Sequence, residues 1–329
     1  MNDRLTSPSR LVSLIDNRKL YDIVKFTTEK ELFSLMDRPV SSAALSGSTG
    51  MERQFLEYVL EVLVRSGYVE KTYASGEPLY FNAPVSREYL SRNSASYAGD
   101  DIFYDADTCD ILEEYVREGP EEHDIGNDFW TAGFLRSIGS KSLMGHVQDA
   151  VEHVDLTGRR RMLDIGGGHG LYSIFFTKRY PELKAWVLDL PVVLEATGEY
   201  IRSYGSQGQV MTIASDYHDY EPEATFDTLF ISNLTGSYDE LHGVLSKYAG
   251  ALDEGGIAVL RSYCTGAGDD YASAMTTLDR YMRRGKKGLD CAGLISVMKE
   301  SGYQNIKQLY EGRGVVILKG VRQSNPRPF

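Results

Sequence analysis

Arg161-Met162-Leu163-Asp164-Ile165-Gly166-Gly167-Gly168-His169-Gly170, with the helical pattern Leu171 to Tyr180 behind it, is the stretch on which the reading of this chain turns. It reads as strand, glycine turn, helix. A short apolar strand ends in an acid, and the glycines let the backbone turn tightly and approach a ligand that a side chain would exclude. Amides at the start of the next helix then point into that space. A pyrophosphate calls for the spacing G-x-G-x-x-G. Here the run is Asp-x-Gly-Gly-Gly-x-Gly, and an acid at the strand tip repels phosphate but attracts a cationic amino group. S-adenosylmethionine (SAM), with its ammonium and sulfonium charges, fits that chemistry. On this run alone, another nucleotide or a purely structural turn stays open.

Outward from the motif, strands and helices alternate to the end of the chain. The strands read are 161–165, 184–189, 210–213, 226–232, 256–263, 304–309 and 315–319. This order predicts an α/β fold with a Rossmann-like, doubly wound sheet of seven strands. Only Tyr310 to Gly314 separate the last two strands, too short a link for a helical crossover. That pair is therefore expected to be antiparallel, which distinguishes a methyltransferase sheet from an ordinary dinucleotide fold.

Before the motif the pattern is mainly helical. Residues 9–37 cluster apolar side chains at spacings of three and four, Pro39 and the Ser/Gly-rich stretch Ser41 to Gly50 interrupt, and a second helix is expected from Met51 to Ser66. Phe55, Val59, Val62 and Leu63 are expected to share its inner face, and Gly67 sits where a helix C-cap favours glycine. A hairpin follows, Tyr68 to Tyr73 and Leu79 to Ala83 around the turn Ala74-Ser75-Gly76-Glu77. Helices followed by a two-stranded wing make a winged-helix pattern, read as either a DNA-binding or a dimerisation module. Glu52, Glu57 and Glu61 against Arg53 and Arg65 on the would-be reading helix disfavour DNA.

Charge is unevenly placed. Of a net −12 over 329 residues, nearly all falls in residues 100–128, which carry 12 acids against the single Arg117. With no basic face to displace counterions, nucleic acid is not the expected partner. Asp105, Asp107 and Asp110 suggest calcium, but the loop lacks its glycine and Val116 replaces the bidentate acid. The segment reads as a solvated helix from about Ala106 to Val116 with Ile111, Leu112 and Tyr115 turned inward, or as an acidic lid favouring cationic substrates. Beyond Gly126 the chain turns apolar (Phe129, Trp130, Phe134, Leu135), and a helix from about Ser140 to His153 leads to the motif. Hydrophobic residues at 42% and charged residues at 25% are ordinary globular values. No apolar run reaches the ~20 residues of a membrane span. Cys109, Cys264 and Cys291 lie far apart without a CxxC pair, so a reducing cytoplasm and no metal site are expected.

The order of these motifs resembles the class I SAM-dependent small-molecule O-methyltransferases of plants and bacteria that carry an N-terminal winged-helix dimerisation domain. The likeness runs from about residue 10 to 320. Asp164-Ile165-Gly166-Gly167-Gly168-His169-Gly170 resembles the family's SAM loop, which implies contacts from Asp164, Gly166 and Gly168 to the methionine end of the cofactor. Val187-Leu188-Asp189-Leu190-Pro191 resembles the acidic end of the second strand, implying that Asp189, beside Leu190, holds the ribose hydroxyls; one carboxylate can accept both bonds. Ser215-Asp216-Tyr217 resembles the adenine-flanking segment, with Asp216 accepting from the amino group and Tyr217 offering a ring face. Asn233, at the end of the fourth strand, joins this cofactor set. Leu252-Asp253-Glu254-Gly255-Gly256, and Ala292-Gly293-Leu294 through Ser301-Gly302-Tyr303, resemble the closing motifs.

The catalytic stretch departs from the family. Where members carry Leu-His-Asp-Trp followed shortly by Asp-Glu, this chain has Leu234-Thr235-Gly236-Ser237-Tyr238-Asp239-Glu240. Thr235 thus holds the position of the histidine base, and a threonine hydroxyl is not a base near neutral pH. Arg261 stands where an acid commonly ends the fifth strand, and Lys286-Lys287-Gly288 replaces an acid-containing run. Three readings follow. The methyl acceptor is already anionic or nucleophilic, so positioning supplies the rate; the cluster Arg280, Arg283, Arg284, Lys286 and Lys287 with Arg261 suits an anion. Alternatively His242, Tyr238 or His218 serves in the histidine's place, His169 being the loop's variable residue. Thirdly, the fold binds SAM without transferring its methyl. The organisation expected is a winged-helix homodimerisation domain over 1–100, an acidic connector and substrate lid over 101–155, a SAM-binding methyltransferase domain over 156–322 and a flexible tail over 323–329. The first reading, methylation of a small aromatic, enol or carboxylate-bearing metabolite, is the one favoured.

Overall fold

A computed structural model of the chain describes residues 9–103, 108–119, 135, 138–140, 142–268, 271–284 and 288–323. Asp105 and Asp107 of the acidic run, Phe129, Trp130, Phe134, Lys286, Lys287, the side chains of Ile111, Arg283 and Arg284, and tail residues 324–329 lie outside the described residues. The chain divides into two units, Met1–Asp105 and Ala106–Phe329.

In the first unit α1 (Ser9–Glu29) leads through a 3-10 turn to β1 (Val40–Ser41), α2 (Ser42–Thr49), α3 (Arg53–Arg65), β2 (Val69–Ala74), β3 (Glu77–Asn82), α4 (Pro84–Tyr89) and the short α5 (Gly99–Ile102). The sheet order is β1-β3-β2. Ser75 at φ 52° and Gly76 at φ 84° are both left-handed, the backbone of a primed hairpin turn whose twist matches its strands. Two expectations are corrected. The Ser/Gly-rich stretch forms α2, because the Ser41 hydroxyl accepts from Ala44 N at 3.2 Å, Leu45 is buried and Gly50 closes the helix in the left-handed conformation. The inner face of α3 is Leu56, Val59, Leu60 and Leu63, a stripe spaced i, i+3, i+4, i+7, which leaves Phe55 and Val62 exposed at its edge.

The second unit holds α6 (Thr108–Glu118), a π-turn over Ser142–His146, α7 (Val147–His153), and then the alternation read from the sequence. The elements are β4 (Arg161–Ile165), α8 (Leu171–Arg179), β5 (Lys184–Asp189), α9 (Pro191–Ser203), β6 (Val210–Ala214), β7 (Phe226–Ser232), α10 (Tyr238–Ala249), β8 (Leu252–Tyr263), α11 (Tyr271–Arg284), α12 (Cys291–Glu300), β9 (Tyr303–Gly312) and β10 (Val315–Arg322). They build a seven-stranded sheet in the order β6-β5-β4-β7-β8-β10-β9. All contacts from β6 to β8 are parallel, and β10 runs antiparallel to both β8 and β9. β8 begins at Leu252, before the expected Gly256, because a register shift opposite Phe226 and Thr228 absorbs the turn at Gly255, φ 73°.

The central strands are near-continuous apolar runs because helices cover both faces. Leu163, Ile165, Leu229, Ile231 and Leu260 pack with Leu241, Leu245 and Leu294 of α10 and α12. On the other face Phe230 meets Tyr172 and Phe176 of α8 at ring separations of 5.1 and 5.3 Å, aromatic pairs worth about 0.5–1.5 kcal/mol each beyond area burial. The direction in which strands are added reverses at β4, with β5 and β6 laid to one side and β7 and β8 to the other, all parallel. Open α/β sheets bind ligands at the strand C-termini of such a switch point. Among the described side chains of α6, Tyr115 turns inward, 6.1 Å from the Tyr281 ring; Leu112 is exposed, contrary to expectation.

Candidate active site

The glycine loop leaves β4 at the switch point. Gly166, Gly168 and Gly170 have φ of 62°, 55° and 70°, a region where any Cβ is strained. Two facts fix its path: Gly166 N donates to Leu188 O at 2.9 Å, and Gly168 N to Asp189 Oδ2 at 2.8 Å. A Cβ at Gly168 would meet open space, whereas one at Gly170 would stand 2.8 Å from Thr197 Cγ2. The loop is therefore open above Gly168 and packed at Gly170.

Asp164 lies beneath the loop, fully buried, accepting from Ser173 Oγ at 2.7 Å through one oxygen while Oδ1 has no partner. Burial, helped by the charge of Asp189, raises its pKa to about 7 against the pull of the Ser173 bond. Asp189, at the end of β5, accepts from Gly168 N and from Leu190 N, each at 2.8 Å. Burial raises its pKa too, with these two amides opposing and Asp216 adding to the rise. Leu190 caps α9 ahead of Pro191. After β6, Asp216 Oδ1 accepts from His218 N at 2.8 Å, and the Tyr217 hydroxyl donates to Glu240 Oε1 at 2.7 Å. Burial and then that carboxylate push the Tyr217 pKa upward.

Asn233, beyond β7, has φ 52° and ties two strand ends: its N donates to Arg261 O and its Oδ1 accepts from Tyr263 N, each at 2.9 Å. A cavity of about 860 Å³ opens beyond the ends of β7 and β8, lined by Asn233 and Thr235, by Ser262 and Tyr263, and by α11. The helix presents Ser273, Thr276, Thr277 and Arg280 to it, a polar stripe at i, i+3, i+4, i+7 that the sequence reading missed although its period was visible.

Of the catalytic candidates Thr235, Tyr238, His242 and His218, Thr235 alone lines the cavity. Its hydroxyl donates to Glu240 Oε2 and accepts from Ser237 N at 3.0 Å. Ser237-x-x-Glu240 reads as a capping box. Ser237 does cap α10, but the Glu240 carboxylate goes to Tyr217 and Thr235 instead. Tyr238 packs away from the cavity against Gly293, its hydroxyl accepting from Asp290 N at 2.7 Å. His242 is exposed on the far side of α10, with Nδ1 3.0 Å from Ser301 Oγ. His218 is also solvent-facing, 3.7 Å from Glu240. His169 differs from the expected spacer: it is buried, its Nδ1 accepts from Leu171 N at 3.0 Å and its Nε2 lies 3.0 Å from Ser142 Oγ. Burial first, then Arg261, lowers its pKa to about 3, so the ring is neutral.

The residues present fit a cofactor with a cationic head and a ribose. A buried carboxylate oxygen without a partner, glycines that keep the space above the loop clear, and a strand-end carboxylate at the switch point meet there. A class I methyltransferase sheet is the class that this fold and site define. The family model for the O-methyltransferase domain matches residues 127–304, more than half of the chain, and the chain belongs to that family. It is a methyltransferase with S-adenosylmethionine as its methyl donor. An uncharacterized protein of Methanocaldococcus jannaschii is 23% identical over 78% of this chain and 71% of its own. The 3-hydroxy-5-methyl-1-naphthoate 3-O-methyltransferase of Streptomyces sahachiroi is 33% identical, the match spanning only 32% of each chain. In fold, the chain is similar to the N,N-8-amino-8-demethyl-D-riboflavin dimethyltransferase of Streptomyces davawensis, with a TM-score of 0.72 at 16% identity over 97% of this chain and 100% of that one. Among the described residues no helix is long and apolar enough to cross a membrane.

Proposed function

We propose that the chain methylates a small aromatic or enol-type metabolite, carboxylate-bearing, whose acceptor atom is already nucleophilic, so that positioning replaces the family's histidine base. The observation that carries this is the state of Thr235. A hydroxyl has one proton and two lone pairs; here the proton goes to Glu240 and one lone pair to Ser237 N. Thr235 is thereby built into the cap of α10, and none of the described residues lining the cavity is a histidine. Holding a nucleophile in line with a reactive methyl group supplies much of the barrier reduction without proton transfer. SAM supplies that methyl when bound. Asp164, Gly166 and Gly168 would face its methionine end, Asp189 and Leu190 the ribose, Asp216 and Tyr217 the adenine, with Asn233 at the seam with the acceptor cavity.

The bond from Thr235 to Glu240 favours one rival reading, in which the hydroxyl relays an acceptor proton to the carboxylate. The two readings separate on Thr235→Ala and Glu240→Gln. Positioning keeps single-turnover methyl transfer within about tenfold of wild type in both, whereas a relay is worth ~10²–10⁴-fold and both variants would lose that much. A hundredfold fall in well-folded protein would end the positioning reading.

For the N-terminal unit we propose a winged-helix module that pairs two copies of the chain. Leu11, Val12, Leu14 and Ile15 of α1 are each at least 50% exposed, a patch of the kind that marks an interface. Sedimentation should give a dimer for wild type and a monomer for Leu14→Asp/Ile15→Asp; a monomeric wild type would refute it.

A further inference from the structure

Arg261 is the largest fully buried side chain described, with 1% of its surface exposed. Its guanidinium cannot discharge itself by losing a proton. Nη1 reaches Ser232 Oγ at a long 3.4 Å, and the rings of Tyr172 and Tyr263 stand 5.7 and 5.6 Å from Cζ. Nε and Nη2 have no hydrogen-bond partner. Among the described residues no carboxylate comes within ion-pair distance of it. A permanent charge in such a place is among the most unfavourable groups a fold can bury, unless something arrives to pair with it.

The two vacant nitrogens identify what that is. Nε and Nη2 share one edge of the guanidinium plane, and that edge grips the two oxygens of a carboxylate in parallel. The surroundings favour an anion. His146 and His169 nearby are both neutral, each held at about 3 by burial first and the Arg261 charge second. Arg280 stacks over the Tyr263 ring at 4.2 Å. Arg261 directly precedes Ser262 and Tyr263, which line the acceptor cavity, and its O accepts from the N of Asn233, another lining residue; the Arg261 side chain is buried and is not itself part of that lining.

We propose that Arg261, set among Tyr172, Ser232 and Tyr263, is the anchor for a carboxylate on the methyl acceptor and so the specificity site for that group. The assignment rests on the positioning reading above and gives it a means, since a side-on fork fixes a planar acid in two directions. It makes Arg261 a positioning residue that does not touch the reacting atoms. The carboxylate of the cofactor's own methionine part has the same chemistry. Arg261 projects from the cavity-lining strand rather than from the glycine loop, which favours the acceptor.

The test is calorimetric, on the full chain saturated with S-adenosylhomocysteine, using 4-hydroxybenzoate, anthranilate and salicylate as probes, each beside its carboxamide. The acids should bind wild type at least tenfold more tightly than the amides. Arg261→Gln should erase that preference, Arg261→Lys should restore part of it, and affinity for S-adenosylhomocysteine should stay within threefold throughout. Equal binding of acids and amides by wild type overturns the proposal. So does a tenfold loss of S-adenosylhomocysteine affinity in Arg261→Gln with the acid preference intact, which would give the fork to the cofactor. A second readout needs no probe. In ligand-free protein, Arg261→Met removes a buried unpaired charge, so the unfolding midpoint should hold or rise by about 2–4 °C; a fall of 5 °C or more would make Arg261 a structural residue and overturn the proposal. None of these measurements involves turnover, so they stand apart from the Thr235 and Glu240 tests of the positioning reading.

Discussion

Gly168 and Gly170 differ in one respect that a pair of alanine substitutions can exploit. Both have a left-handed backbone, φ 55° and 70°, so alanine costs about 1–2 kcal/mol at either place from backbone strain. At Gly168 the new methyl meets nothing within 4 Å, whereas at Gly170 it would sit 2.8 Å from Thr197 Cγ2. The Thr197 hydroxyl already holds Gly168 O, so that side chain has little freedom to move away. Overpacking adds about 1–3 kcal/mol. Gly170→Ala should therefore lose about 2–5 kcal/mol and Gly168→Ala about 1–2, read as denaturant midpoints at constant slope. Ligand binding should rank them the other way. The space above Gly168 is where we place the methionine end of SAM, so Gly168→Ala should weaken S-adenosylhomocysteine at least tenfold by titration calorimetry, and Gly170→Ala, once folded, less than threefold. If Gly168→Ala bound as wild type does, the loop would not be the cofactor's cradle.

Asp189→Asn keeps the shape of the strand end but removes the charge that accepts from Gly168 N and Leu190 N. S-adenosylhomocysteine affinity should fall tenfold or more by calorimetry, and an unchanged affinity would remove Asp189 from the ribose site. Asp164 supplies a pH signature. Its folded pKa of about 7 lies above the carboxyl's ordinary ~3.9, so the native state holds the proton more tightly. The stability it contributes is full below pH ~4 and is lost as pH rises through 7. Asp164→Asn should hence be less stable than wild type at pH 4 relative to its rank at pH 8, as measured by urea unfolding at both; parallel pH profiles would contradict the buried, one-partner carboxyl.

The sheet was legible because its central strands are buried on both faces, which prints uninterrupted apolar runs, and because β4 is closed by glycine and β5 by an acid. β4, β5 and β7 begin and end where the pattern says. What escaped the sequence had short-range causes hidden by composition. Serine and glycine in Ser41 to Gly50 suggest a loop, yet Ser41 is a cap, and buried Leu45 and Ser42, the latter bonded to Glu57, anchor a two-turn helix. Phe55 and Val62 are as hydrophobic as their neighbours but lie at the rim of α3, a distinction that needs its partners in hand. At the site, the residue types were readable and their engagements were not. His169 became a buried support of α8, Glu240 was drawn from its capping role, and the isolation of Arg261 follows from which side chains do not reach it, something no spacing records.

The crossing of Asn233 between the ends of β7 and β8 has a consequence for how such a chain diversifies. Every described residue lining the cavity falls between Asn233 and Gly314, while the glycine loop and the acids Asp164, Asp189 and Asp216 fall before that stretch in the chain. On the assignment proposed above, donor and acceptor chemistry occupy largely successive stretches of one polypeptide, with Asn233 near the seam and Tyr172 and Ser232 reaching across it. On the same assignment, a lineage could rewrite the later stretch while the earlier one went on reading the same small molecule. Recombination at that asparagine would then exchange most of what reads the acceptor while keeping what delivers the methyl.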